Sequence, residues 1–208
     1  MKNKKGFTLI ELLAVIVILG VLLAIAIPAV AKYINSAKKS TYVDNVQSYV
    51  KAARQEVLIN NSPYALPVTQ YDATIIAFDK LSNALDNGGK TSSYGGEFDK
   101  DKSFIVIVNE GTASDPQYVY YIAAVDDKGY GIGKNATTVA AINYDSLKEY
   151  NIVQLGTSTT LTLNTTATTH IAVGSKINVS TKTSEDSSGN PVYTETNSGN
   201  VTVKYIYK

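Results

Sequence analysis

The spacing of hydrophobic positions changes character twice along this chain. From Phe7 to Ala31 the run is continuous, 25 residues in which Thr8 and Glu11 are the polar side chains. Coiled as a helix, it spans roughly 37 Å at about 1.5 Å per residue, enough to cross a bilayer core. Past Lys32 the apolar residues thin to spacings of three and four, at Ile34, Ala37, Val43, Val46, Val50, Ala53 and Val57. Lys38, Lys39, Asp44, Gln47, Lys51 and Arg54 fill the other faces. This predicts one helix from about residue 7 to residue 59, apolar all round in its first half and amphipathic in its second. Gly20 and Pro28 are its weak points, because a proline removes a backbone donor and crowds the preceding turn, so a kink or a local loss of helix is expected there. Asn60, Asn61, Ser62 and Pro63 then supply turn formers and a residue that cannot continue a helix.

Further along, Ile75, Ile76, Phe78, Leu81 and Leu85 give an apolar face to a second helix at about Asp72 to Asp86, with Asn87, Gly88 and Gly89 as its stop. The period then drops to that of strands. Phe104–Val108 and Tyr118–Val125 are rich in β-branched and aromatic residues, and a shorter strand follows near Tyr130–Ile132. A short helix is expected near Tyr144–Tyr150. From about Gly156 the composition shifts to Thr and Ser with alternating apolar residues at Leu161 and Leu163, Ile171 and Val173, Ile177 and Val179, and Val201, Val203 and Tyr205. Turns are expected at Gly174-Ser175, Glu185 to Pro191 and Asn197 to Gly199. The fold class is therefore α+β: a long amino-terminal helix whose amphipathic half lies on an antiparallel sheet, followed by a β-rich carboxy-terminal region. The divisions are 1–6, 7–31, 32–60, 61–156 and 157–208, the last two meeting at a soft boundary.

Composition narrows the function classes. Nineteen basic residues nearly cancel eighteen acidic ones and form no stripe of the kind that grips nucleic acid. Cysteine is absent, which removes disulfides and thiolate metal sites from consideration. Catalytic inventory is thin. His170, the one histidine, lies in a Thr-rich stretch without a recognisable partner and is expected to be structural. Glu97, Asp99 and Asp101 share a loop with Gly95 and Gly96, but their spacing fits no calcium loop, and a solvated acidic loop is expected. Leu66 to Gln70 superficially resembles a sortase sorting signal and reads as a connector. Tyr118, Tyr120 and Tyr121 are expected to pack in the sheet rather than to present an adhesive face. No catalytic residue, metal or cofactor is assigned.

Function thus concentrates in the first stretch, for which three readings stand. A secretory signal peptide would be cut after Ala31, where Ala29-Val30-Ala31 has the small-residue pattern, yet its apolar core would be unusually long and would hold a charge. A plain membrane anchor leaves the cost of Glu11 without explanation, since an ionisable group in a span costs a few kcal/mol. The third reading starts from the run KKGFTLIELL. A basic leader with Lys2, Lys4 and Lys5 ends in Gly6, an aromatic Phe7 follows, and Glu11 lies five places into what would be the mature chain.

This pattern resembles the prepilin signature of type IV pilins and pseudopilins, closely over about the first 55 residues and in general architecture beyond. The resemblance implies a membrane-embedded prepilin peptidase that cuts between Gly6 and Phe7 on the cytoplasmic face and methylates the new amine of Phe7. It also implies single-pass insertion with the amino terminus in the cytoplasm, then self-assembly by the membrane machinery into a helical homopolymer on the cell surface. If helices pack in parallel, Glu11 of one copy can pair with the Phe7 amine of a neighbour, each neutralising a charge that is expensive in an apolar surround. The expected function is a structural pilus subunit, not an enzyme, with adhesion, motility, biofilm formation and DNA uptake all open. A pseudopilin of a secretion or DNA-uptake system, a secreted β-rich binding protein released after Ala31, and a membrane-anchored enzyme stand as alternatives. Many members of the family tie a carboxy-terminal loop with a disulfide, so the missing cysteines withhold that loop's function from the resemblance.

Overall fold

The computed structural model describes residues 6–59, 61–85, 90–135, 138–155, 161–163, 170–195 and 201–208. Lys2, Lys4, Lys5, the expected stop at Asn87 to Gly89, the boundary at Gly156 and the turn at Asn197 to Gly199 lie outside these residues. Two units divide the chain, residues 1–38 and residues 39–208.

Helix α1, Leu9–Leu58, is continuous through Gly20 and Pro28. Its large side chains up to Ile34 are exposed, while from Tyr42 onward one stripe is buried at helical spacing: Tyr42, Val43, Val46, Tyr49, Val50, Ala53 and Val57. The helix gives way at Asn61, whose φ of 63° places it in the left-handed region that asparagine tolerates better than most side chains.

The sheet against this stripe holds, among the described residues, strands β1 (Asp72–Ala77), β2 (Phe104–Asn109), β3 (Tyr118–Ala123), β6 (Ala141–Asn143), β8 (Lys176–Ile177), β9 (Val179–Glu185), β10 (Pro191–Glu195) and β11 (Val201–Tyr207). Their order is β10-β9-β6-β3-β2-β1-β11-β8. Pairing is antiparallel except for β1 with β11 and β6 with β9, two parallel contacts that both bring carboxy-terminal strands beside earlier ones. A smaller sheet comprises β4 (Tyr130–Asn135) flanked by β5 (Thr138–Val139) and β7 (Ile152–Gln154).

The segment expected to be helical from Asp72 is a strand up to Ala77, and only Phe78–Leu81 (α2) coils. The reason is two-sided burial. All six residues of β1 and all six of β2 are buried, and consecutive side chains point to opposite faces. Ile76, Ile105, Ile107, Tyr120, Ile122 and Ile142 join the helix stripe in one apolar cluster. Ile75, Phe104, Val106, Val108 and Tyr121 form a second, closed by Leu163, Ile171, Val179, Val201 and Val203. A strand covered on both faces loses the alternation that marks a half-exposed one and reads as an unbroken apolar run.

Three other expectations are revised. The helix near Tyr144 to Tyr150 is two single 3₁₀ turns, Tyr144–Ser146 and Glu149–Asn151. Leu147 and Lys148 between them are extended; the Asn143 side chain caps the first turn by accepting the Asp145 N–H, and the Asn151 side chain accepts the Lys148 N–H, a donor that a continuous helix would use. Leu161–Leu163 is not a strand; it crosses the back of the sheet, where the Leu163 N–H donates to the Asp101 carbonyl at 2.7 Å and Leu163 is fully buried. Ile171 and Val173 likewise fall outside any strand, and Ile171 is held by its N–H to the Thr162 carbonyl at 2.8 Å.

Aromatic rings hold the second half of α1 in place. Tyr49 stacks on Phe78 with centroids 3.7 Å apart, and Phe98 meets Tyr42, Tyr49 and Phe78 edge-on at 5.4, 5.9 and 5.4 Å. The Tyr42 hydroxyl donates to the Tyr130 carbonyl at 3.1 Å. Arg54 places its guanidinium 4.7 Å from the rings of both Tyr120 and Tyr144. Burial, reinforced by the Asp126 charge, raises the Tyr42 hydroxyl well above the usual tyrosine range; burial and then Asp79 push Tyr49 up to about 12.

Candidate assembly and processing segment

The residues singled out by sequence lie at the start of α1 or just before it. Gly6, Phe7 and Thr8 precede the helix, so the Gly6–Phe7 peptide bond is in exposed, irregular chain. Phe7 is 90% exposed. A Cβ added at Gly6 would meet nothing within 4 Å, so within this chain the position does not need glycine for space. The same is true of Gly20, inside α1. Pro28, also inside, gives no N–H to the carbonyl of Ala24.

Glu11 has a local partner that sequence reasoning missed. Its Oε2 accepts the backbone N–H of Thr8 and the Thr8 hydroxyl, each at 2.8 Å, while the Glu11 N–H points back at the Thr8 oxygen at 3.4 Å. This is a capping box: a threonine and a glutamate three residues apart satisfy donors that the first turn of a helix leaves without partners, and the carboxylate complements the positive end of the helix dipole. The spacing Thr8-x-x-Glu11 ahead of an apolar run is the signal that reveals it. Around this polar cluster the surface is apolar: Leu9, Ile10, Leu12, Leu13, Val15 and Ile16 are each at least half exposed. By length and composition α1 is sufficient to span a membrane. A surface this apolar is stable only against lipid or other apolar helices, and the one carboxylate on it is the group whose pairing can depend on the surroundings.

The other candidates separate. His170 is exposed. In the acidic loop, Asp99 pairs with Lys102 at 3.2 Å and accepts the Asp101 N–H at 2.9 Å. Among the described residues no three of His, Asp and Glu lie close enough to hold a metal. Leu66–Gln70 is irregular chain pinned by the Asn109 side-chain amide on the Val68 carbonyl at 2.7 Å. Tyr120 and Tyr121 are buried on opposite faces of the sheet, and Tyr121 donates to the Glu110 carboxylate.

The family model described as the prokaryotic N-terminal methylation motif matches residues 1–27. A fimbrial protein of Pseudomonas aeruginosa is 40% identical over 94 residues, 44% of this chain and 58% of that protein. The chain thus spans little more than half the length of that relative. A type IV major alpha-pilin of Moraxella bovis is 33% identical over 131 residues, 54% of this chain and 82% of that protein. A fimbrial protein of Moraxella nonliquefaciens is 47% identical over 58 residues, 26% of this chain and 38% of that protein. No solved structure gives a significant match.

Proposed function

This chain belongs to the type IV pilin family, and from that premise we propose that it is the structural subunit of a surface filament, assembled through α1. The observation that carries the proposal is the first half of α1, an exposed apolar surface bearing a single carboxylate beside the future amino terminus. In the precursor this surface faces lipid, with residues 1–6 as a cytoplasmic leader and 7–31 as the span. Prepilin peptidase cuts after Gly6 and methylates Phe7; the irregular backbone before Leu9 supports access, because a protease needs extended rather than helical chain at the bond it cuts. The assembly machinery then moves the subunit from lipid into the polymer, where neighbouring helices replace lipid around the same side chains.

Glu11 is the register element of this reaction. An ammonium and a carboxylate taken out of water each cost several kcal/mol alone and recover most of it as a pair. A subunit docked with Glu11 beside the Phe7 amine of its neighbour meets that condition; one displaced by a turn does not. Gly20 and Pro28 supply the give that parallel packing of long helices requires. The second half of α1 packs on the body, to which residues 61–156 and the described residues of 157–208 both contribute strands, and the latter also cover the back of the sheet. This body makes the outer surface of the filament.

A filament subunit is favoured over a pseudopilin of a secretion or DNA-uptake system by the relatives, three of which are named as fimbrial protein or pilin. Release after Ala31 would sever α1 within its continuous span. Mass spectrometry of the mature amino terminus tests the proposal: N-methylated Phe7 is expected, and a chain starting at Lys32 overturns it. Electron microscopy of the cell surface then tests for filaments, and correctly processed protein that forms none would assign the chain to a pseudopilus instead.

A further inference from the structure

Just beyond the apolar run of α1, basic residues appear that topology does not call for. Between Glu11 and Asp44 the chain holds no acidic residue, and its basic ones are Lys32, Lys38 and Lys39. Basic residues concentrate at the cytoplasmic end of a span; with the leader on that side, these lysines lie at the far end. Among the described residues neither Lys32 nor Lys39 takes part in a salt bridge. Lys32 is exposed and Lys39 half-buried. Seven residues apart on a continuous helix, the two share one face and are separated by about 10 Å along its axis.

With residues 7–31 as the membrane span, a placement that rests on the function proposed above, Lys32 is the first residue past it. Tyr33 follows, 76% exposed; a tyrosine there keeps its ring at the lipid boundary and its hydroxyl among the headgroups. The headgroup layer is about 5–7 Å deep, so the backbone of Lys39 lies just outside it. Helix side chains lean towards the amino terminus, which is the membrane side, and the long stem of a lysine lets its ammonium reach back into that layer. The anionic group waiting there is lipid phosphate. Phosphatidylcholine cancels it with an ammonium of its own, whereas phosphatidylglycerol leaves it open to the lysines. We propose that Lys32 and Lys39, with Tyr33 at the boundary, form a collar that binds the phosphates of anionic lipids in the leaflet away from the cytoplasm. Each lysine contributes about fivefold to the preference for such a lipid. The collar fixes the depth of the subunit before assembly, and its lipids are released when the subunit enters the filament.

Native mass spectrometry of the full chain, in micelles holding equal amounts of phosphatidylglycerol and phosphatidylcholine, tests this. Every chain compared carries Lys2→Met, Lys4→Met and Lys5→Met, so that the leader adds no charge. Phosphatidylglycerol is expected to be retained in at least about fivefold excess, and the further double variant Lys32→Met, Lys39→Met to retain the two lipids about equally. Methionine keeps both the unbranched stem and the helix propensity of lysine, so the helix itself is not perturbed. An unchanged preference in the double variant overturns the collar. Inorganic phosphate in excess should leave the phosphatidylglycerol in place, and its displacement would overturn lipid as the occupant. Insertion into phosphatidylcholine vesicles, read as resistance to alkaline washing, separates the collar from the reading it rests on. A chain that does not insert refutes the span, while one that inserts and shows no preference for phosphatidylglycerol refutes the collar alone.

Discussion

Three substitutions separate the two tasks that Glu11 is proposed to perform, capping its own helix and pairing with a neighbouring subunit. Thr8→Val removes the hydroxyl from the 2.8 Å bond to Oε2 and the acceptor of the 3.4 Å bond, but keeps the carboxylate and the Thr8 backbone N–H that binds it. Losing a cap of this kind costs about 1 kcal/mol, up to about 2. Glu11→Gln does the reverse: the amide oxygen can still accept from Thr8, while the negative charge is gone. Glu11→Ala removes both. If the intersubunit pair governs assembly, each subunit of a polymer carrying Glu11→Gln or Glu11→Ala buries an amine without its partner, at about 3–5 kcal/mol. At 1.4 kcal/mol per factor of ten, that is a loss of roughly 10²- to 4 × 10³-fold in the equilibrium for subunit addition, enough to eliminate filaments at cellular concentrations. Thr8→Val should lower the equilibrium by no more than about thirtyfold, the upper end of the cap's contribution. The assay is filament yield by shearing and electron microscopy, with mass spectrometry of the amino terminus to establish that all three variants are cut and methylated. Glu11→Gln filaments at parental yield would refute the charge argument, and Thr8→Val as defective as Glu11→Ala would make the cap, not the pair, the essential interaction.

Other expectations concern the body of the subunit. Because Tyr49 titrates near 12 when folded and near 10 when unfolded, the unfolded chain loses its proton first; the stabilisation is complete below pH 10 and falls away as pH rises towards 12. Urea unfolding midpoints from pH 9 to 12 should therefore decline more steeply for the parent than for Tyr49→Phe, and equal slopes would contradict the burial argument. Asp126 accepts the Ser92 hydroxyl and the N–H groups of Lys128 and Tyr130, at 3.0 and 2.8 Å for the last two, so Asp126→Ala takes the acceptor from three donors, of which the Ser92 hydroxyl is buried. A loss of about 2–4 kcal/mol in urea unfolding is expected. Arg54→Met keeps much of the aliphatic stem but gives up the guanidinium between Tyr120 and Tyr144; about 1–2 kcal/mol should be lost by the same measure, and a neutral result would show the two ring contacts to be incidental.

What the sequence disclosed depended on how far apart the interacting residues lie. The helix could be read because its pattern is local: every residue of the buried stripe from Tyr42 to Val57 is within four places of the next. Strands β2 and β3 were legible for a similar reason, as β-branched and aromatic runs of strand length pairing in a simple hairpin register from Phe104 with Ala123 to Asn109 with Tyr118. The capping box was equally local and simply needs the Thr-x-x-Glu spacing to be weighed as a helix start.

Strand β1 marks where local reading ends. Ile75 and Ile76, with Phe78 just beyond the strand, satisfy a helical spacing as well as an extended one, and nothing nearby decides between them. The decision is made by β11 at the far end of the chain, which pairs with β1 in parallel from Asp72 with Thr202 to Ile76 with Tyr207 and so turns an edge into an interior strand. The back face shows the same logic. Leu161 and Leu163 flank Thr162, and Ile171 and Val173 flank Ala172, in the alternation expected of strands, yet Leu163 and Ile171 join the cluster of Phe104, Val106 and Tyr121 rather than a ladder, because a sheet apolar on both sides must be covered on both sides. The helix covers one face and the carboxy-terminal region the other. That requirement explains why a Thr- and Ser-rich segment that looks detachable from its composition contributes core: without Leu163, Ile171, Val201 and Val203, the second cluster would be open to water, and the strand register that holds the α1 stripe in place would lose half of its support.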